Sequence, residues 1–216
     1  WKGSGRSILI KLLSISGSPV DGSSTEFILR RLAEKIEAAL TDSVKVESNF
    51  VKLNGLTFLP CQACGEAPAA GFCIYDDLCE VYDQLVACDC LLFGSPVYFD
   101  SVAAQAKQFI DRCNCIRPPD YQDTDPEHRF IKLLDRKRPG AIILVGGQNG
   151  WYEGARRVVA GFFKWVEVVN EGLITYGSPD FRKKGTAADH LPTLEAIDKL
   201  AIHLASQLAK LHQAQA

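Results

Sequence analysis

Several absences narrow the class of this chain before any motif is read. It has no methionine and only 3 tryptophans among 216 residues. No apolar run approaches the roughly 18 residues of a membrane span, and the longest are strand-length. No excess of positive charge advertises nucleic acid, since 24 Lys and Arg stand against 26 Asp and Glu, with a net charge of −2. The opening Trp1–Arg6 lacks the apolar core of a secretory signal, so the cytoplasm is the expected compartment. The dinucleotide pattern G-x-G-x-x-G is absent, and so is the Walker loop ending in Gly-Lys-Ser/Thr.

What is present is enough apolar material, 47%, for a substantial core. Residues 1–216 read as a single domain with irregular insertions at about 54–76 and 116–138. The 8 cysteines, in a chain of this size, point to reduced thiols, metal ligands or redox groups rather than a disulfide framework.

Periodicity orders the chain. Ile8 to Ile15 is a nearly unbroken apolar run, as expected of a strand buried on both faces. Residues 24–40 carry Phe27, Ile28, Leu32 and Ile36 at helical spacing. Val44 to Leu53 alternates in part and reads as a half-exposed edge strand. Asp76 and Asp77 are expected to open a helix to about Val86, because acidic residues favour a first turn. Buried strands follow at Cys88–Phe93 and Gly140–Val145, with a short last strand at Gly172–Tyr176. Helical stripes run from Val102 to Cys113, from Ala155 to Val166 and from about Thr193 onward. Such alternation predicts a flavodoxin-like α/β three-layer sandwich, its five-stranded parallel sheet in the order 2-1-3-4-5.

In such a sheet a ligand lies beyond the carboxyl ends of the strands, where the strand order reverses. The first, third and fourth strands end in SGSPVDGSST, GSPVYFDS and GGQNGWYEG. The first of these opens a helix with short hydroxyl side chains, which with the free amides of a helix start makes a phosphate socket. Its plainer reading is that Ser23, Ser24 or Thr25 caps the helix. In the second, Tyr98 and Phe99 flank a rigid turn that suits a planar heteroaromatic ligand, or they fill the core. In the third, glycines let main chain approach a flat ring, or they form an ordinary turn.

Together the three loops resemble the flavodoxin-like NAD(P)H-dependent FMN reductases, close to their iron–sulfur flavoprotein branch. The resemblance covers most of the chain, and GSPVYF followed by SVAAQAKQFIDR is its most specific part. It implies an oxidoreductase that passes electrons from NAD(P)H through FMN to a small acceptor such as a flavin or quinone. It implies a phosphate site at Ser18, Ser23, Ser24 and Thr25, and a flavin ring against Pro96, Val97, Tyr98, Phe99, Gly146, Gly147, Gln148, Asn149 and Gly150. A homodimer or homotetramer is expected, with neither nucleic acid nor membrane as partner. The alternative within the resemblance is an electron carrier between protein partners.

Two positions depart from the family pattern. Val20 stands where relatives often carry an arginine, leaving hydroxyls and backbone to hold the phosphate. Ala67 stands where the branch has its third cluster cysteine. Cys61, Cys64, Cys73 and Cys79 therefore admit three readings: a [4Fe–4S] site, a zinc or redox-thiol site, or small apolar residues in an inherited loop. Cys88, Cys90, Cys113 and Cys115 fall on strand and helix and read as core, and the four histidines show no metal spacing.

Overall fold

The computed structural model describes residues 8–41, 44–63, 73–75, 77–117, 131–132, 136–147 and 150–213. Its central sheet holds β1 (Ile8–Ser16), β2 (Val44–Lys52), β3 (Cys90–Tyr98), β4 (Arg138–Gly147) and β5 (Val168–Ser178). These five pair in parallel in the order β2-β1-β3-β4-β5, as expected of a flavodoxin-like sheet. The helices are α1 (Ser24–Ala39), α2 (Cys79–Ala87), α3 (Ala104–Arg112), α4 (Glu153–Trp165) and α5 (Leu191–Gln213).

The unbroken apolar runs have a direct cause: each central strand is covered on both faces. Alternate residues point to opposite sides of a strand. Leu13, Ile15, Leu91, Phe93, Ile142 and Leu144 pack into one core beneath α2, α3 and α4. Ile10, Leu12, Cys90, Leu92, Ala141 and Ile143 pack into the other beneath α1 and α5. On the first face the rings of Phe93, Phe109 and Phe162 meet at centroid distances of 5.4 to 6.5 Å. Strand β2 has one neighbour and buries little beyond Val51, so the edge position read from its partial alternation holds.

Several boundaries differ from the sequence expectation, and four elements show why. Strand β3 continues past Phe93 through Pro96, because Gly94 to Pro96 still pair with β4 while pairing with β1 ends at Gly94. Beyond that point one side of the strand is an edge, where a proline without an N–H is tolerated. Strand β5 spans 11 residues rather than five, since its polar Asn170 and Glu171 hide a strand that accommodates an irregularity opposite Gly140 and Ala141. Helix α2 starts at Cys79 instead of Asp77, whose carboxylate is drawn to Arg112. Helix α3 starts at Ala104, because Ser101–Val102 forms a two-residue strand against the end of β3. Asp76 lies outside the described residues, as does 118–130, the bulk of the second insertion. Among the described residues, no helix is long and apolar enough to cross a membrane.

Candidate functional site

The loop after β1 is drawn tightly against the start of α3. The Gly17 amide donates to Gly94 O at 2.8 Å, which joins the ends of β1 and β3. A Cβ on Gly17 would stand 2.6 Å from Ala106 Cβ, so only glycine fits there. Ser18 is buried, and its Oγ accepts the Val20 amide at 3.2 Å, shaping the turn from inside. Ser23 caps α1 by accepting from Glu26 N at 3.3 Å, while Glu26 Oε2 accepts from Gly22 N at 2.9 Å. This is a capping-box arrangement shifted by one residue, and the S-x-x-E spacing of Ser23 and Glu26 was its readable signal.

Ser24 Oγ accepts the Ala187 amide at 3.2 Å, tying the phosphate-loop candidate to the chain between β5 and α5. Thr25 packs its methyl group against Gly94, where a Cβ would come within 2.8 Å of it. Its hydroxyl has no partner among the described residues, although the residue is only 1% exposed. The amides of Ser24 and Thr25 belong to the first turn and have no acceptor within the helix. Of the four hydroxyl residues expected here, two shape the loop, one docks a neighbouring segment, and Thr25 keeps a free group.

Three charged side chains meet at this loop. Lys52, the last residue of β2, places Nζ 2.7 Å from Glu26 Oε1 and also contacts Asp21 Oδ1. The Lys52 contact holds the Asp21 carboxyl below its usual range. Partial burial works against the Lys52 ammonium, but its hydrogen bonds to Asp21 and Glu26 outweigh that and hold it above its usual range. Lys52 was not among the residues expected at the site, and nothing in its local sequence marks it.

The second candidate element is a hairpin rather than a loop. Val97 and Tyr98 pair antiparallel with Val102 and Ser101, leaving Phe99 and Asp100 as the two-residue turn. Both have positive φ, 52° and 56°, a conformation that hairpins of this kind require and that favours Asn-Gly. A Phe in that region costs roughly 1–2 kcal/mol. Two contacts fix the turn. Buried Ser95 accepts the Ala103 amide at 2.9 Å, and Asp100 Oδ1 accepts the Gly154 amide at 3.0 Å in the first turn of α4. Pro96 is buried and Val97 half-buried, whereas Tyr98 is 48% and Phe99 104% exposed.

In the third element the glycines make room for a ring of the chain itself. Cβ atoms on Gly146 and Gly150 would come within 3.0 and 2.5 Å of the Tyr152 ring. Gly147 has open space around it, and Trp151 is 78% exposed. Burial pushes the Tyr152 hydroxyl above its usual range. Tyr152 and Asp100 are further residues that the sequence reading did not single out. Gln148 and Asn149 lie outside the described residues.

The cysteines divide differently. Cys61 lines a groove between α3 and α4 with Lys107, Asn114 and Trp165. Cys73 packs against the core, and Cys79 begins α2. Cys64, like Ala67, lies outside the described residues. Among the described residues no three His, Cys, Asp or Glu side chains gather as a metal site, so Cys61, Cys73 and Cys79 do not form one by themselves. The ends of this segment are held instead by Arg112, which donates to Leu59 O at 2.6 Å and to Asp77 Oδ1 at 2.5 Å. Burial pushes the thiols of Cys88, Cys90 and Cys113 up, and that of Cys115 up to about 12, as expected of core cysteines. His190 and His203 are exposed, and His128 lies outside the described residues.

The strand order defines a flavodoxin-like α/β protein whose topological switch point falls between β1 and β3. A solved archaeal flavodoxin shares this fold, with a TM-score of 0.51 at 14% identity over 93% of this chain and 99% of that one. The model of the NADPH-dependent FMN reductase family matches residues 10–173, and the chain belongs to that family. Two iron–sulfur flavoproteins of Methanocaldococcus jannaschii are similar to it. One is 32% identical, covering 83% of this chain and 88% of the relative, and the other is 27% identical over 93% and 94%. The protein is thus an FMN-dependent oxidoreductase using NAD(P)H.

Proposed function

We propose that the carboxyl edge of the sheet binds FMN and that the enzyme passes electrons to a small acceptor such as a free flavin or a quinone. The phosphate lies at Ser18, Ser23, Ser24 and Thr25, and the ring lies against Pro96 to Phe99 and Gly146 to Gly150. The observation that carries this reading is the group of unpartnered donors, the first-turn amides of α1 and the Thr25 hydroxyl, at the end of β1. They stand beside two elements that offer backbone and aromatic surface to a flat ring.

Bound FMN would supply the redox chemistry, acceptance of a hydride from NAD(P)H and release of electrons to the acceptor. The chain's own part is positioning. Amides and hydroxyls orient the phosphate, Ser95 and Asp100 fix the hairpin, and Tyr98 and Phe99 keep water from the ring. No acid or base side chain is required for hydride transfer. Exposed Tyr98, Phe99 and Trp151 also favour a homodimer or homotetramer that covers them. We take residues 1–216 to work as one domain in the cytoplasm. The relatives are named iron–sulfur flavoproteins, but the described cysteines do not assemble a cluster site.

The test is anaerobic purification followed by absorption, iron analysis, mass analysis of the released flavin, and NAD(P)H oxidation with a quinone or flavin acceptor. FMN as the released flavin and acceptor-dependent oxidation are expected. Recovery of FAD, or no flavin uptake, overturns the reading. Flavin binding without nicotinamide oxidation favours the electron-carrier alternative.

A further inference from the structure

Two carboxylates border the place proposed for the phosphate. Asp21 lies in the loop, and Glu26 lies in the first turn of α1, where its Oε2 already holds the Gly22 amide at 2.9 Å. A phosphate dianion at the amides of Ser24 and Thr25 therefore meets like charge. Residues 17–25 contain no Lys or Arg, and Val20 is apolar and exposed. The cation arrives from another strand. Lys52 reaches from the end of β2 to sit 2.7 Å from Glu26 Oε1 and against Asp21, with its side chain only 20% exposed. A second basic residue comes from the connection between β5 and α5. Gly185 crosses so close that a Cβ on it would stand 3.2 Å from Gly22 O, and its neighbour Lys184 is exposed beside the loop.

We propose that Lys52 is the phosphate-neutralising residue of this site, bridging the Glu26 carboxylate and the FMN phosphate, with Lys184 supplying a second positive charge. The inference rests on the flavin-site reading above and adds the residues that make the site prefer a phosphorylated flavin. An ammonium has three donors. Two of them serve Asp21 and Glu26, and the third is left for a phosphate oxygen. The two carboxylates hold the ammonium at the loop before any ligand arrives, so little side-chain freedom is lost on binding. Lys184 acts at longer range and already helps to hold Asp21 ionised.

Dissociation constants for FMN and riboflavin, measured by flavin fluorescence quenching on wild type, Lys52→Gln, Lys52→Arg and Lys184→Gln, test this. Lys52→Gln is expected to weaken FMN by about 10- to 100-fold, the range for a lost bond to a charged group, with riboflavin little changed. Lys52→Arg keeps most of the preference for FMN. Lys184→Gln lowers it by a smaller factor that shrinks further as salt is raised. A folded Lys52→Gln protein with the wild-type preference for FMN overturns the proposal while leaving the flavin site standing. An equal loss of riboflavin affinity also overturns it, since Lys52 is then a strut of the loop. Should Lys52→Gln not fold, Lys52→Met replaces it, and a folded Lys52→Met protein with the wild-type preference for FMN overturns the proposal in the same way. A wild type that binds riboflavin as tightly as FMN overturns both the proposal and the phosphate site on which it rests.

Discussion

The two ends of the central sheet are built on opposite rules. At the end where the strands begin, polar groups are largely matched within the protein, with Arg138 Nε the exception. Arg138, 1% exposed, donates to Cys88 O at 3.0 Å and Val166 O at 3.1 Å, and also bonds Leu85 O. One guanidinium thereby satisfies the carbonyl ends of α2 and α4, where a positive charge also suits the helix dipole. Asp89 beside it accepts the Lys11 amide at 2.8 Å and pairs with Arg136 at 2.6 Å. At the carboxyl end, helix amides and the Thr25 hydroxyl lack protein partners, two non-glycine residues hold positive φ, and three aromatics stand in solvent. The beginning of the sheet is closed mostly by its own side chains, and the finish keeps the groups proposed above to meet a ligand. On this reading stability is concentrated at one edge and the proposed binding at the other.

The sharpest way to break this contrast is to damage the closed end. Arg138→Met should cost about 3–5 kcal/mol in a denaturant melt, because it strands buried helix carbonyls. FMN affinity per folded molecule should be nearly unchanged. A cost below about 1 kcal/mol would mean that the guanidinium is dispensable.

The converse experiment is Ser18→Ala with Thr25→Ala at the open end. FMN affinity should fall by about a hundredfold, with Thr25 acting directly and Ser18 through the shape of the loop. The melting temperature of the ligand-free protein should move little, and a purely structural loop would reverse the two outcomes.

A third variant separates the ends by sign. Phe99→Gly relieves a positive-φ aromatic and should raise stability by about 0.5–1 kcal/mol. The same change should slow NAD(P)H oxidation by removing a ring wall. Equal or faster turnover would show that the hairpin tip is not used.

Acid provides a smaller effect. The Arg112 hydrogen bond holds Asp77 below the usual carboxylate range. Its stabilising contribution is therefore full above the unfolded-state value near pH 4 and is lost as pH falls through the lower folded-state value. Asp77→Asn should flatten stability against pH in that acid window, with a measured slope like that of wild type counting against the staple. The smallest effect is expected from Cys61→Ser with Cys64→Ser, which should leave flavin content and nicotinamide oxidation unchanged. Loss of electron transfer with flavin still bound would show that these cysteines take part.

The legibility of the chain follows the same division. Buried strands announce themselves as apolar runs, and loops at their ends as Gly, Ser and Pro, so the sheet order and its three special ends were readable. Side chains that act across the fold were not. Arg138 reads as a charged residue at a strand start, and only three dimensions bring the ends of α2 and α4 to it. Lys52 likewise meets Asp21 and Glu26 only because β2 lies beside β1 in parallel register. The hairpin at Tyr98 to Ser101 is too short to leave a periodicity. Glycine in the third element was ambiguous, since a close approach by a ligand ring and by Tyr152 demands the same missing Cβ.

Amide hydrogen exchange with and without FMN tests the central claim most directly. Protection on adding FMN is predicted within residues 16–25, 94–100 and 146–152, with none at 85–89 or 136–140. Protection spread evenly over both edges, or confined to the edge where the strands begin, would contradict the division of the sheet into a closed end and a binding end.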